Sequence, residues 1–523
     1  MISSGGVPST VAFGYDSNFR LTSEGINGAN SISFGYDNDD LLTSAGALTL
    51  RRDAGNGLLT GTTLSNLVDT YGYNGFGEVT SYAVQLSGSP LITFGYGRDD
   101  GGRIATKTET VNGQTTTTSY GYDPAGRLTD VTTGTSTTHY GYDENGNRTS
   151  VTSPSGTIAA TYDAQDRMTT YNGASYFYSD NGELQKKIDA QGTTLYNYDV
   201  LGNLRSVSLP DRRLIEYVID ASNRRVGKKV NGTLTTGWIY GDQLRIIAET
   251  DGTGAVTKRF VYGSRTNVPE YMTWQGSTYR IITDHLGSPR YVLHASAGTL
   301  AEAITDDEFG NVLSDTNLGF VPFGFAGGLY DPDTKLVRFG ARDVDLPTGR
   351  WTAKDPILFA GTDADLYNYA FADPVNYVDP FGLDALTQDP NVRRCFFHLW
   401  KLAGFGADPT ERSTWITHKN SVYGTVPWAS SATPHHDTWP GDKPIPDDTV
   451  AQAHTHPDSL DPRPSTGGSA SRPTDAFDAR STGIPYYTIS RKGIWKVDPQ
   501  GHVSQEEGPN WRKGLQDKDC SCQ

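Results

Sequence analysis

The stretch YGYDPAGRLTDV, residues 120–131, decides the fold. An aromatic-Gly-Tyr-Asp segment ends one predicted strand, Pro-Ala-Gly forms a turn, and Arg-Leu-Thr opens the next strand. Asp123 can accept hydrogen bonds from turn amides, and Gly126 can adopt a positive φ without steric cost. The unit therefore predicts a β-hairpin.

Related units recur irregularly along the first half of the chain. They are FGYDSNFRLTS from Phe13, FGYDNDDLLTS from Phe34, YGYNGFGEVTS from Tyr71, YGYDENGNRTSV from Tyr140 and YNYDVLGNLRSV from Tyr196. One hairpin cannot bury its aromatic face alone, so stacked units predict one continuous curved sheet. A flat, solvated β-solenoid is the alternative.

Composition sets further bounds. A chain of 523 residues with 59 Gly, 29 Tyr and only 3 Met predicts a mostly β protein with two or more folding units. A net charge of −16 argues against a nucleic-acid coat or a polybasic membrane binder. We expect no membrane span and no classical secretory signal, because no long apolar stretch occurs. All 3 cysteines follow residue 383, so no disulfide framework can hold the N-terminal part together. The chain is therefore expected to fold in the cytoplasm.

The repeats resemble the YD repeats of the Rhs and toxin-complex C families, which wind into a hollow shell. The stretch 279–383 resembles the Rhs-associated core more specifically, through DHLGSPRYV, DEFGNVL, the segment PFGFAGGLYDPDTKLVRFGARDVDLPTGRWTAKDPI and the terminal PVNYVDPFGL. The resemblance implies three parts: a YD-repeat β-hairpin shell at 1–278, the core with its cleavage site at 279–383, and a small α+β toxin domain at 384–523. YD units stop after 383, and 7 of the 10 histidines lie beyond it.

The same resemblance implies self-cleavage of the bond between Leu383 and Asp384. Arg342, Asp343 and Asp355 match the arginine and the two carboxylates that the family uses for an aspartyl-protease-like step. Two nearby carboxylates can divide the work, one ionised as base and one protonated as acid. Arg342 would hold one of them ionised. Asp345 and Asp379 are interpreted as turn residues.

The tail carries the motif AQAHTHPDSL, followed by STGGSAS and TDAFDAR. His454 and His456 alternate on a predicted strand and therefore share one face, as two ligands of one zinc ion require. The order resembles the JAB/MPN metallohydrolases, which implies Glu411 as the base that activates zinc-bound water and Ser465 as the group that steadies the oxyanion. Ser471 lies on the same stretch.

The third zinc ligand is left open between Asp475 and Asp478, with Asp475 the first choice because it precedes the helix-like AFDAR. The family places this Asp three positions after Ser, whereas a Gly/Ser-rich insertion intervenes here. His435 and His436 lie in a Pro/Trp-rich loop and are interpreted as solvated. The terminal pair Cys520 and Cys522 resembles a metal clip at a frayed end.

These features predict a polymorphic toxin. The shell would enclose a zinc-dependent peptidase or isopeptidase and release it by self-cleavage, for export and action on a protein substrate in a recipient cell. Expected partners are a cognate immunity protein and secretion-system delivery proteins, with no nucleic acid. Two alternatives stay open: a His-metal nuclease in the same shell, which the tail's lack of basic excess disfavours, and a non-enzymatic YD-repeat surface adhesin.

Overall fold

The structure is a computed structural model. It describes residues 2–3, 7–358, 363 and 365–383, together with six strands of the tail. The chain divides into two compact units. The first comprises Met1–Asn74, Val79–Pro356 and Asp365–Leu383, and the second comprises Gly75–Glu78, Ile357–Ala364 and Asp384–Gln523.

The first unit contains a sheet of 31 strands in the described residues. In chain order they are β1 Ile2–Ser3, β2 Ser9–Tyr15, β3 Leu21–Ile26, β4 Ala29–Tyr36, β5 Leu42–Ala45, β6 Leu48–Arg52, β7 Leu59–Leu64, β8 Leu67–Tyr73, β9 Val79–Leu86, β10 Ser89–Arg98, β11 Ile104–Val111, β12 Gln114–Tyr122, β13 Leu128–Thr133, β14 Ser136–Tyr142, β15 Arg148–Ser153, β16 Gly156–Tyr162, β17 Met168–Tyr171, β18 Ala174–Tyr178, β19 Leu184–Asp189, β20 Gly192–Tyr198, β21 Leu204–Ser208, β22 Leu214–Ile219, β23 Arg225–Val230, β24 Thr233–Tyr240, β25 Ile246–Asp251, β26 Val256–Val261, β27 Tyr271–Trp274, β28 Ser277–Thr283, β29 Pro289–His294, β30 Leu300–Asp306 and β31 Val312–Asp315. Each strand pairs antiparallel with the next one along the chain.

The turn after β12 shows why the YD unit folds as a hairpin. Asp123 Oδ1 accepts a hydrogen bond of 3.0 Å from Arg127 N, and Asp123 Oδ2 accepts one of 2.7 Å from Arg127 Nε. Gly126 takes a φ of +87°. The Tyr142 hydroxyl of the next unit donates to the Leu128 carbonyl at 2.7 Å, and the Arg127 guanidinium lies 4.8 Å from its ring centre. Tyr142 therefore stabilises the unit that precedes its own. The turn bonds and strand pairing confirm the predicted hairpin.

Early and late strands of the sheet share a core. Ile26 on β3 and Phe260 on β26 belong to one buried apolar cluster. Two buried ion pairs join the same regions: Arg259 Nη2 lies 2.5 Å from Glu24 Oε1, and Arg280 Nε lies 3.0 Å from Asp69 Oδ2. These contacts exclude the flat, solvated sheet considered above.

The segment that follows β31 forms a second, four-stranded sheet in the first unit. Its strands are β32 Leu329–Asp331, β33 Leu336–Phe339, β34 Arg342–Asp345 and β35 Arg350–Trp351. Short 3-10 turns lie at Phe325–Gly327 and Ala370–Ala372. Phe339, Val344, Trp351 and Tyr369 form its apolar cluster. The segment is fixed to the large sheet, for example through Tyr217 Oη, which donates to Asp331 Oδ2 at 2.7 Å.

The described part of the tail is one six-stranded sheet. The strands are β36 Ser413–Lys419, β37 Val422–Pro427, β38 Thr449–Thr455, β39 Tyr486–Ser490, β40 Gly493–Val497 and β41 Val503–Glu507, in the spatial order β37-β36-β38-β39-β40-β41. Strand β38 pairs antiparallel with β36 and parallel with β39. The helix-like AFDAR lies outside the described residues. The prediction of a mostly β fold is confirmed, and no helix among the described residues is long and apolar enough to cross a membrane.

Candidate functional site

The turn between β33 and β34 lies against the end of the first unit. Ala341 N donates a hydrogen bond of 2.8 Å to the Phe381 carbonyl. Gly340 has a φ of +38°, and a Cβ at this position would lie 2.2 Å from Phe381 O. Gly382 has a φ of +65°, and a Cβ there would lie 2.5 Å from Phe339 O. Both glycines are therefore required for this close backbone approach.

Arg342, the first residue of β34, contacts one backbone carbonyl and two carboxylates near the end of the first unit. Its Nε donates to the Gly382 carbonyl at 2.6 Å. Its Nη2 lies 2.7 Å from Asp355 Oδ2 and 3.3 Å from Asp379 Oδ2. The guanidinium stacks on Trp351, with Cζ 4.1 Å from the ring centre, and the side chain is 6% exposed. One buried cation therefore positions a backbone carbonyl and two carboxylates.

The peptide unit next to the predicted cleavage point is held at both ends. Arg342 binds the carbonyl of Gly382, and Leu383 N donates to Asp379 Oδ1 at 3.2 Å. Asp379 also accepts from Gly382 N through its backbone carbonyl at 3.3 Å. Asp379 is thus a turn residue, as predicted, and in addition its carboxylate contacts both Arg342 and the amide of Leu383. Asp384 lies outside the described residues.

Asp343 has different partners. Its Oδ1 accepts from Arg225 Nη2 at 2.8 Å and its Oδ2 accepts from Arg338 Nη1 at 3.0 Å. Neighbouring side chains on a strand alternate in direction, so Asp343 leaves β34 on the face opposite to Arg342. To act at the junction, the Asp343 carboxylate would have to leave two buried arginines. The role assigned to Asp343 from the sequence stays a prediction.

Of the sequence-predicted residues, the structure brings Arg342, Asp355 and Leu383 together and adds Asp379. The signal for Asp379 was its place four residues before Leu383, where an Asp side chain reaches the amide. Arg225, which binds Asp343, comes from 118 residues earlier and has no local signal.

Acidic groups around this segment lie in a low-dielectric environment. Burial raises the pKa of Asp373 to about 7. Burial also raises the pKa of Asp345 and that of Asp365, although Arg350 opposes the shift at Asp365. Burial therefore favours the protonated form of these three carboxyl groups.

In the tail, His454 is the one candidate zinc ligand on a described element. It pairs with Ser413 of β36 and with Thr488 of β39, and Thr488 is fully buried. Glu411 precedes Ser413 by two residues, and His456 follows His454 by two. Glu411, His456, Ser465, Asp475 and Asp478 lie outside the described residues, as do Ser471, His435, His436, Cys520 and Cys522.

Comparison with known proteins defines the class. The Teneurin YD-shell family matches residues 4–375. The chain belongs to this family, and its first unit is a YD-repeat shell. The predicted YD-repeat architecture is therefore confirmed.

Individual relatives match much shorter parts. Teneurin-3 of Mus musculus is 29% identical over 194 residues, which cover 36% of this chain and 7% of the relative. The tRNA3(Ser)-specific nuclease WapA of Bacillus spizizenii is 30% identical over 226 residues, which cover 41% of this chain and 9% of the relative. The chain thus spans less than a tenth of these curated relatives.

Solved structures share the fold. A crystal structure of TcdB2-TccC3-TEV aligns with a TM-score of 0.60 and 17% identity, covering 72% of this chain and 22% of that chain. A Photorhabdus luminescens Tc holotoxin pore aligns with a TM-score of 0.54 and 15% identity, covering 72% of this chain and 21% of that chain.

Proposed function

We propose that this chain is part of an Rhs-type toxin whose YD-repeat shell cuts itself after Leu383 and releases residues 384–523 as an exported effector. The observation that carries the proposal is the position of Arg342, which binds the Gly382 carbonyl and both the Asp355 and Asp379 carboxylates. These contacts place two carboxylates and one cation beside the peptide unit that precedes the proposed cleavage point.

The proposed reaction is hydrolysis of the bond between Leu383 and Asp384. One carboxylate of the pair Asp355 and Asp379 is ionised and takes a proton from water, whose oxygen adds to the Leu383 carbonyl. The other is protonated and supplies a proton to the departing amide nitrogen, so the products are a Leu383 carboxylic acid and an Asp384 amine, and the two aspartates have exchanged protonation states. Mutual repulsion between two close carboxylates favours this split of protonation states.

Arg342 has two tasks in this scheme. It keeps a permanent positive charge, because arginine does not lose its proton in proteins. That charge offsets the negative charge of the ionised carboxylate. Its bond to Gly382 fixes the peptide unit before the scissile bond, and orientation of this kind lowers the barrier to attack.

Asp379 is favoured over Asp343 as the second carboxylate. Asp379 Oδ1 already accepts the Leu383 amide at 3.2 Å, whereas the Asp343 carboxylate is engaged by two arginines. In this assignment the Asp343 carboxylate transfers no proton. It holds Arg225 and Arg338 in place. The alternative assignment, with Asp343 and Asp355 as the acting pair, follows from the Rhs resemblance. The variants Asp343→Asn and Asp379→Asn distinguish the two assignments.

For the released domain we propose a zinc-dependent hydrolase of the JAB/MPN kind that acts on protein. The register of β36 and β38 supports this proposal, because Ser413 and His454 are paired across the two strands. In the sequence, Glu411 precedes Ser413 by two residues and His456 follows His454 by two. Zinc held by His454, His456 and Asp475 or Asp478 would supply hydroxide at neutral pH. Glu411 would hold the proton taken from that water, and Ser465 would stabilise the oxyanion.

A nuclease is the second candidate for the released domain. The relative WapA is named as a tRNA3(Ser)-specific nuclease, and the same histidines would suit metal-dependent phosphodiester hydrolysis. The non-enzymatic YD-repeat surface adhesin remains the other alternative that the sequence left open. An immunity protein and delivery proteins are the partners that a toxin implies.

Expression of the full chain, with detection of a fragment that begins at Asp384, tests the proposed self-cleavage. Release of the tail as an effector depends on this cleavage.

A further inference from the structure

The turn that precedes the cleavage point is tied to an early part of the large sheet. Asn376 Oδ1 accepts a hydrogen bond of 2.8 Å from the amide of Ile104, the first residue of β11. Asn376 Nδ2 donates at 3.0 Å to the hydroxyl of Tyr122, the last residue of β12. These partners lie 272 and 254 residues before Asn376 in the chain. We call Asn376, Ile104 and Tyr122 the latch.

The bond between Tyr122 and Asn376 is an addition to the repeat pattern. The hydroxyls of Tyr122 and Tyr142 donate to the carbonyls of Ile104 and Leu128, respectively, at 2.7 Å each. These two bonds join successive repeat units in the same way. The Tyr122 hydroxyl accepts the hydrogen bond from Asn376 as well. The repeat therefore explains why Tyr122 binds Ile104, but it does not explain why Tyr122 binds Asn376.

Asp373 sets the orientation of the Asn376 side chain. Both oxygens of the Asp373 carboxylate accept from Asn376 Nδ2 at 2.9 Å, and Asp373 Oδ1 accepts from Asn376 N at 3.2 Å. An ionised carboxylate accepts hydrogen bonds and cannot donate them, so it draws the nitrogen end of the amide towards itself. The amide oxygen is then directed to Ile104 N, as the latch requires.

Other titratable and charged groups near the latch act on Asp373 or respond to it. Burial raises the pKa of Asp373 to about 7, and the positive charge of Arg103 opposes the shift. Arg103 is itself bound to Asp99 at 2.8 Å. Burial, with a smaller contribution from Asp373, raises the pKa of Tyr122 and that of Tyr142. Both hydroxyls therefore keep their protons at neutral pH.

The chain between the latch and the cleavage centre is short and packed. Tyr377 and Val378 follow Asn376 directly and pack against the apolar cluster of the second sheet. The next residue is Asp379, whose carboxylate contacts Arg342 and the amide of Leu383. A shift of the latched turn is therefore passed to Asp379 through only two residues.

We infer that Asn376 is a positioning residue for cleavage after Leu383, an inference that rests on the self-cleavage proposed above. By tying its turn to β11 and β12, Asn376 holds Asp379 and Leu383 in the geometry that the reaction requires. A chain in which these two strands have not reached their places lacks the latch and stays largely uncut. Cleavage is thereby coupled to the folding of repeat strands that lie far from the cleavage point in the sequence.

The first test is a comparison of two matched tyrosine variants. Cell-free synthesis of the full chain, stopped at intervals and resolved on denaturing gels, gives the rate of cleavage. Tyr122→Phe and Tyr142→Phe each remove one repeat bond of 2.7 Å, but Tyr122→Phe also removes an acceptor of Asn376. We expect slower cleavage in Tyr122→Phe and a rate near that of the wild type in Tyr142→Phe.

Asn376→Ala removes the latch side chain. We expect cleavage to slow by up to about 10²-fold, since displacement of reacting groups by about 1 Å can cost this much. The rate is measured in the same way as for the tyrosine variants.

Asn376→Asp distinguishes positioning from a general loss of stability. The new carboxyl group has nearly the shape of the amide but lies against Asp373, and it donates a hydrogen bond only when it is protonated. The ratio of the variant rate to the wild-type rate should therefore rise as the pH falls from about 9 to about 5. Asn376→Ala cannot regain a donor, so its ratio should stay low at every pH.

Two results would overturn the inference. One is equal cleavage rates in Tyr122→Phe and Tyr142→Phe. The other is a ratio for Asn376→Asp that does not change with pH. A wild-type chain that stays intact would instead contradict the self-cleavage itself, so failure of the latch and failure of the proposed function are distinguishable.

Discussion

Arg342 Nε donates a hydrogen bond of 2.6 Å to the carbonyl oxygen of Gly382, 40 residues further along the chain. This bond ties the start of β34 to the last turn of the first unit. It places a buried positive charge at this turn, which the turn's own hydrogen bonds do not require.

Gly340→Ala should slow self-cleavage. The new Cβ would lie 2.2 Å from Phe381 O at a φ of +38°, so the terminal segment must shift. Displacement of reacting groups by about 1 Å can cost about 10²-fold in rate. Gly126→Ala is the control, since Gly126 has a φ of +87° but no atom within 4 Å of the added Cβ. Cleavage is followed by the fraction of intact chain on denaturing gels, and equal rates in both variants would refute the proposed contact.

Asp343→Asn separates a positioning role from a catalytic one. It leaves Arg225 and Arg338 without their carboxylate, and removal of one partner from a buried ion pair costs about 3 to 5 kcal/mol of stability. We expect a lower denaturation midpoint and slow but measurable cleavage. A variant as stable as the wild type that does not cleave at all would instead identify Asp343 as one of the acting carboxylates.

Glu302 predicts how the stability of the shell depends on pH. Its side chain is fully buried, and burial, followed by the charge of Asp315, raises its pKa to about 8. Between the unfolded pKa near 4.5 and the folded pKa near 8, the folded state holds the extra proton, so stability falls as pH rises. The slope is at most about 1.4 kcal/mol per pH unit.

Glu302→Gln should remove this part of the pH dependence and stabilise the chain at pH values near or above 8. Denaturation midpoints of the two proteins, measured from about pH 5 to about pH 9, provide the check, because this range spans most of the interval between the two pKa values. Parallel curves for the variant and the wild type would show that Glu302 does not titrate in this interval.

The tail should contain about one zinc ion per chain. His454→Ala and His456→Ala should lose the metal and the toxicity together, because each removes a ligand. Glu411→Gln should keep the metal and lose toxicity, since it removes only the base. Asp475→Ala and Asp478→Ala should differ, with one of them losing metal.

His435→Ala is the control for these tail variants, because it removes a histidine that is predicted to be solvated. Metal is measured on the purified protein and toxicity by bacterial growth on expression. A metal-free chain that stays toxic after chelation would exclude the zinc hydrolase and leave the histidines as ordinary surface residues.

The sequence predicted the hairpins because their determinants are local. Asp123, Gly126 and Arg127 lie within five residues, and their turn bonds need no distant partner. The same holds for Asp379 and Leu383, whose contact follows from their spacing. Asp343 could not be placed in this way. Its arginine partner Arg225 lies 118 residues away, so their ion pair depends on the tertiary fold and not on the local sequence.

The central claim is most directly tested by the mass and N-terminal sequence of the fragments from the purified full chain, for the wild type and for Asp355→Asn and Asp379→Asn. The account predicts a wild-type fragment that begins at Asp384 and a single intact chain in both variants. Efficient cleavage at the same bond in both variants, or a wild-type chain that stays intact, would contradict it.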